Sequence, residues 1–464
     1  MSKQLMIAFS ASIGFGCCIS TPADAQSLSA EEAQSLRDEI KLLKERLGAL
    51  EKKLDGGIEK STETRVPIAQ APAPEKKPDA PETAIDWKGS PQFVSTDRAF
   101  KVKGRIQADA NYVAAPDSIN DRGFGFSNEF RRLRLGGEGK LGSGIGYKLE
   151  FELSDNSVDV VDTFITYETK SWLFAVGNQN QFQSLDELIG DTTGSVMERA
   201  AFTDAFNFER RLGISAQRRM GAVLIQAGVF TDNIDALADD SDGPDGGDEN
   251  NSFSVDGRLV YAPIVGDTQL HFGASGHLRT LNRLAETPVR YRQRPYVHSS
   301  NSRVLATPEM DIDRELHYGV EAAAVHGPWH MAAEGHWLTA ERPDFPDATF
   351  FGGYAEVGYF LTRGDTRPYR NGIFGGTAPQ RPLGKGGVGA IQLNLRYDYL
   401  DLIDQTIIGG KQNAYIAALV WTPINYLRLN LNYGYVEYDD AAILAGDRDD
   451  YSLHTLGTRI ELDF

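Results

Sequence analysis

The basic residues of this chain gather in a few places. Residues 362–387 hold Arg363, Arg367, Arg370, Arg381 and Lys385 against Asp365 alone, and residues 280–313 carry Arg283, Arg290, Arg292, Arg294 and Arg303. Arg105, Arg132, Arg134 and Lys148 form a third group, spaced among apolar residues. A guanidinium offers several donors in a fixed fork, suits phosphate oxygens and keeps its charge throughout the working pH range. The chemistry these residues can do is anion binding. The candidates for it are Arg105, Arg132, Arg134, Lys148, Arg290, Arg292, Arg294, Arg363, Arg367, Arg370, Arg381 and Lys385.

Other constellations carry less. His326, His330 and His336 lack the spacing and the acidic partner of a catalytic zinc helix, and read as wall or turn residues. Asp239, Asp240, Asp242, Asp245, Asp248 and Glu249 share a Gly-rich loop whose spacing departs from the EF-hand pattern, so it reads as a solvated loop. No phosphate-cradling glycine loop precedes a helix. No metal, cofactor or catalytic group is therefore expected. A net charge of -18 opposes a nucleic-acid role built on attraction to phosphate.

The elements that must position the basic residues are strands. In residues 451–464, Leu456, Thr458, Ile460, Leu462 and Phe464 occupy one parity, and Thr455, Gly457, Arg459, Glu461 and Asp463 the other. Strand side chains alternate between faces, so this segment is apolar on one side and polar on the other. Ile145, Tyr147, Leu149, Phe151 and Leu153 alternate in the same way with Lys148, Glu150 and Glu152. So do Ile391, Leu393, Leu395 and Tyr397 with Gln392, Asn394, Arg396 and Asp398, and Leu427, Leu429, Leu431 and Tyr433 with Arg428, Asn430 and Asn432. A closed barrel in lipid turns the apolar face outward and keeps the charges in a wet lumen.

Sixteen such segments are expected over residues 93–464, near 99–113, 129–141, 144–154, 158–169, 171–177, 208–218, 221–230, 252–262, 267–279, 314–326, 328–340, 348–362, 387–400, 411–422, 425–438 and 451–464. The fold class is thus all-β, a sixteen-stranded antiparallel transmembrane barrel, and a barrel of that size leaves an aqueous channel. The mean hydropathy of -0.35 is too polar for a helical membrane protein. Strand counting places residues 362–387 on the periplasmic side, where turns are normally short.

The amino terminus reads as three further pieces. Residues 1–25 form a signal peptide, with an apolar run after Lys3 and Ala23, Asp24 and Ala25 before the cleavage point. Cys17 and Cys18, the chain's 2 cysteines, lie inside it, so the mature chain has no disulfide or thiol chemistry. Residues 26–55 form a periplasmic coiled-coil helix, with Leu36, Ile40, Leu43, Leu47, Leu50 and Leu54 at a/d spacing. Residues 56–92 form a proline-rich tether.

The stretches FRRLRLGGEGKLGSGIGYKLEFEL, MERAAFTDAF and RPYRNGIFGGTAPQRPLGKGGVGAIQLNLRYDYLDL resemble the phosphate-selective porin O and P family, in the family's order. The resemblance implies a homotrimeric outer-membrane porin, embedded in lipid, whose inward-folded loops guide phosphate or polyphosphate. It also implies that residues 362–387 fold into the pore. One departure matters. The third outward loop, by resemblance the main constriction, carries Asp186, Glu187, Asp191, Glu198 and Asp204 against Arg199, with no lysine-rich eyelet. A porin of broad or different solute preference is the alternative this loop raises.

Overall fold

The computed structural model describes residues 83–154, 156–234, 252–281 and 288–464, together with Lys41 and Lys44. Sixteen antiparallel strands build the wall. In chain order they are β1 (Ala99–Ala114), β2 (Gly125–Gly142), β3 (Ile145–Glu152), β4 (Asp159–Glu168), β5 (Trp172–Asn180), β6 (Arg210–Met220), β7 (Val223–Phe230) and β8 (Phe253–Tyr261). The second half comprises β9 (Thr268–Thr280), β10 (Arg314–His326), β11 (Trp329–Glu341), β12 (Ala348–Phe360), β13 (Ala390–Asp404), β14 (Ile407–Ile424), β15 (Leu427–Asp439) and β16 (Tyr451–Asp463). Each pairs with its sequence neighbour, and β16 returns to β1 with Asp463 opposite Arg105, which closes the sheet and leaves it without an edge.

The stretch read as a tether ends in structure. Ala84–Trp87 and Pro91–Val94 make a hairpin that pairs onto the start of β1. The signal segment, residues 26–55 apart from Lys41 and Lys44, the remainder of the tether, the acidic run from 239 to 249 and Arg283 lie outside the described residues.

The strand faces follow the alternation. On β16, Leu456, Ile460 and Leu462 are exposed while Thr455, Arg459 and Glu461 are buried, an inside-out arrangement for a soluble sheet and the normal one in lipid. Aromatic rings ring the outer surface. Tyr318, Trp337, Phe351 and Tyr399 contact one another across β10 to β13 at centroid distances of 5.3, 4.8 and 6.0 Å. Nearer the other end Trp329 meets Tyr359 at 4.5 Å and Trp172 stacks on Phe174 at 5.9 Å. Two such levels are what interfacial girdles require.

Unlike the outer face, part of the lumen is packed as a protein core. Leu185, Phe202 and Phe206 from residues 181–209, and Tyr291, Val304 and Leu305 from residues 281–313, are buried against Leu338, Phe350, Leu400 and Leu402 of the wall. Each large apolar side chain buried this way contributes about 1.5–3 kcal/mol, enough to hold a long connection inside the barrel. Gly352 on β12 makes the space: a Cβ there would stand 2.5 Å from Phe202 Cβ.

The closing seam has a similar device. The backbone N–H groups of Gly104 and Phe464 each donate to the other's carbonyl at 2.9 Å. The Phe464 ring lies directly on Gly104, where a Cβ would meet it at 2.2 Å. Gly104→Val is therefore expected to unseat the terminal ring, costing about 1–3 kcal/mol through overpacking. The heat-resistant, fast-migrating folded species on gels reports this, and an unchanged folded fraction and melting temperature would show that the ring does not seal the seam.

Candidate pore constriction

Residues 181–209 connect β5 to β6, and turn inward because the wall offers them polar anchors as well as apolar ones. The first is Glu334 on β11. Its carboxylate accepts the Ser184 hydroxyl at 2.8 Å and the Leu185 and Asp186 amides at 2.9 and 2.7 Å. Those amides are orphan donors at the start of α1 (Leu185–Leu188), and Ser184 also caps the Glu187 amide. A second short helix, α2 (Ala201–Ala205), is held by Asp398 of β13, which accepts the Ala201 amide at 3.1 Å. Glu356 of β12 takes the Ser195 hydroxyl at 2.7 Å. The loop thus spans the lumen between anchors on several strands.

The acids of this loop, expected from the sequence to oppose anions, are all ion-paired. Asp186 meets Arg396 at 3.0 Å, Glu187 meets Arg199 at 3.2 Å, and Asp204 meets Arg303 at 2.9 Å. Glu198 lies between Arg131, at 3.5 Å, and Arg459. Asp191 is the hub: Arg105, Arg132, Arg134 and Arg199 approach it at 3.4, 2.9, 3.3 and 3.0 Å. Burial pushes this carboxyl up, but the surrounding guanidinium groups outweigh burial and hold it well below the usual carboxylate range. Each pair of unit charges at such distances attracts by roughly 5 kcal/mol at an effective dielectric of about 20.

Three of the sequence candidates, Arg105, Arg132 and Arg134, therefore converge on one carboxylate. Lys148 sits beside them on Glu150 at 2.7 Å and on Asp162, which also binds Arg210. Sequence parity misses Arg131. Gln107 pairs with Arg132 but Ala108 pairs with Phe130, so Arg131 is the extra residue of a β-bulge. A bulge re-aims side chains, and this one brings both Arg131 and Arg132 to the lumen. A lone FRRLR run gives no sign of which residue is extruded. Arg210 and Arg303, also absent from the candidate set, compensate Asp162 of β4 and Asp204 of the third loop.

The fifth loop, residues 281–313, closes over the third from the same end. Arg294 donates its amide to Asp204 at 3.2 Å and directs its side chain to a cavity of about 200 Å³, shared with Arg131, Arg132, Arg199 and His298. Arg290 is partly spent, with Nε on the Thr307 carbonyl at 3.0 Å and a loose 3.8 Å contact to Glu309, whereas Arg292 is exposed. The long turn, residues 361–389, enters from the opposite end. Arg367 is buried there, donating to Ser195, to the Thr193 carbonyl at 3.0 Å and to Glu356 at 3.2 Å, with its guanidinium 4.1 Å from the Phe374 ring centre. Arg258 of β8 holds the turn through the Gly372 carbonyl at 2.9 Å. Arg363, Arg370, Arg381 and Lys385 remain exposed, without an ion pair among the described residues. The structure therefore separates two groups the sequence placed together: Arg367 fastens the turn to the third loop, and the other four stay free.

A lipid-facing closed barrel, crossed inside by charge-anchored loops with water-sized space between them, defines a membrane channel of the porin class. The comparisons agree. The description of phosphate-selective porin O and P matches residues 100–464, and the chain belongs to that family; it is an outer-membrane porin. An uncharacterized protein of Caulobacter vibrioides (strain ATCC 19089 / CIP 103742 / CB 15) is 54% identical over 479 residues, covering 100% of this chain and 97% of that one. Among solved structures, the trimer form of OmpT from Vibrio cholerae superposes with a TM-score of 0.50 at 9% identity, over 79% of this chain and 100% of that one. OprB of Pseudomonas putida gives 0.50 at 9% identity, over 79% and 94%. At such identities these two show the fold alone.

Glu187 supplies a pH test of the constriction. Burial raises its carboxyl from 4.5 to about 6, against the opposing pull of Arg199. The folded loop binds this proton more tightly than the unfolded chain does, so its contribution to stability grows as pH falls through 6 and is lost above it. Between about pH 7 and about pH 5 the constriction accordingly loses one negative charge while Arg199 keeps its own. Anion preference, read as the zero-current potential in a salt gradient, is expected to rise over this interval and to rise less in Glu187→Gln. A pH response equal in the variant and the parent would assign it to other groups.

Proposed function

We propose that the chain forms a water-filled channel for passive uptake of small anions, phosphate and polyphosphate among them, across the bacterial outer membrane. The observation that carries this reading is the set of Arg363, Arg370, Arg381 and Lys385, exposed on a turn that enters the lumen and unpaired among the described residues. Rows of unpaired guanidinium and ammonium groups at a pore entrance raise local anion concentration and select for negative solutes. Arg294 and Arg292 extend the same field on the opposite side of the constriction. The ion-paired constriction itself is close to neutral, which favours a second reading, a broad-specificity porin with only a mild anion preference.

The orientation follows from the same reading. The signal peptide directs the chain to the periplasm, the amino-terminal coiled coil and tether stay there, and the long turn lies at the periplasmic end of the barrel. The a/d stripe from Leu36 to Leu54 suits a self-associating stalk, and a homotrimer is the assembly it would serve. Light scattering on detergent-folded protein tests that: particles holding three barrels agree with it, and monomeric barrels defeat it.

Selectivity is decided by replacing Arg363, Arg370, Arg381 and Lys385 together with Ser, leaving Arg367 because it holds the third loop. The zero-current potential is expected to move toward cation preference, and phosphate is expected to block chloride current less well. An unchanged potential in a correctly folded variant would leave the broad-specificity porin as the better reading.

A further inference from the structure

The pore leaves unused a group of imidazoles beneath the aromatic end of the third loop. His277 on β9 lies directly opposite His317 on β10, with ring centroids 4.9 Å apart. Glu315 precedes His317 by two residues and so shares its inward face. One ligating atom from each of His277, Glu315 and His317 lies within 4.8 Å of the other two, and all three residues are buried. His317 Nε2 is 3.9 Å from Glu315 Oε2, too long for a hydrogen bond. It is closer to the ligand-to-ligand edge of a tetrahedral zinc site, about 3.4 Å when the metal bonds are about 2.1 Å.

Unsatisfied polarity points to a missing ligand. His317 is only 2% exposed, yet neither of its ring nitrogens has a hydrogen-bond partner among the described residues. A buried donor or acceptor left in that condition costs roughly 1–3 kcal/mol, which native structures rarely tolerate without reason. The neighbours are arranged as the outer shell of a metal site. His277 Nδ1 stands 2.6 Å from Asp256 Oδ1, a carboxylate–imidazole pair that fixes the tautomer and leaves Nε2 to ligate. Gln181 and Gln183 in turn donate to Asp256 at 3.1 and 3.4 Å. The Tyr291 hydroxyl donates to Glu315 Oε1 at 2.7 Å and so leaves Oε2 for other partners. Phe206 and Phe208 stand 6.2 and 5.8 Å from His317 and cover the group. Arg279 Nη1 approaches Glu315 Oε2 at 3.4 Å, so occupation would exchange one long charge-assisted contact for a coordination bond.

We propose that His277, His317 and Glu315 bind one divalent first-row transition-metal ion of the zinc class, with Asp256 and Tyr291 orienting the ligands. Two imidazoles and a carboxylate suit zinc, and the barrel presents them on one face of two adjacent strands. The ion ties β9 to β10 under the third loop and adds fixed positive charge inside the lumen wall. Its ligands come from two strands, 277 and 315 to 317, so no local spacing motif announces them.

The test uses full-length protein without a histidine tag, folded in detergent, stripped with chelator and titrated with Co²⁺ and then Zn²⁺. One cobalt per chain is expected, with the intense visible ligand-field band of a four-coordinate N/O site, and zinc is expected to displace it. His277→Ala and His317→Ala are each expected to remove the band, and Asp256→Asn to weaken zinc binding about 10–100-fold. His454→Ala, altering an exposed imidazole on the outer face, is expected to leave both unchanged. Absence of the band in folded parent protein overturns the proposal, whether or not the variants fold. A band that survives in both alanine variants overturns it equally.

Discussion

Four guanidinium groups around one buried carboxylate set the form of this channel. A barrel of sixteen strands would be open if its long loop floated free, and a loop this rich in acids would leave negative charge across the lumen if they were unpaired. Placing Asp191 among Arg105, Arg132, Arg134 and Arg199 resolves both conditions with one contact set. The loop is fixed across the lumen, and its charge is cancelled where solutes must pass. Removing one partner of a buried pair costs about 3–5 kcal/mol because the remaining charge is stranded, so the arrangement is hard to undo piecemeal.

The apolar anchors complete it. Phe202 and Phe206 insert into the wall where Gly352 leaves room, and Arg367 of the long turn grips the same loop from the other end through Ser195 and the Thr193 carbonyl. Structure and selectivity are thereby divided among residues of one type. Buried arginines hold the loops, while Arg363, Arg370 and Arg381 stay exposed. The division explains how a chain of net charge -18 can still present local positive fields at both mouths.

Much of the wall was legible in the sequence because lipid and water face opposite sides of every strand, which enforces a period of two. Strands such as Arg314–His326 coincide with the alternating segment, and Ala390–Asp404 and Ile407–Ile424 differ only at ends where turn residues blur the pattern. Parity fails where the backbone itself changes phase. Arg131 is hidden by its bulge, and the FRRLR run could place only alternate residues inward. Ion pairing was illegible for a different reason. Asp191 lies 86 positions from Arg105 in the chain, and only the inward fold of a loop joins them. Reading the third loop as acidic was correct for its composition but not for its field. The same limit hid His277 and His317, which the register of two strands sets side by side.

Asp191→Asn tests the central claim most directly, through single-channel recording in a salt gradient on a variant whose folded barrel is verified by heat-modifiable migration. If the carboxylate cancels the guanidinium cluster and pins the loop, its loss leaves the cluster positive and the loop loosened. The account predicts a zero-current potential shifted toward anion preference and noisier open-channel current. A potential that is unchanged or shifted toward cations, with a quiet channel, would contradict it.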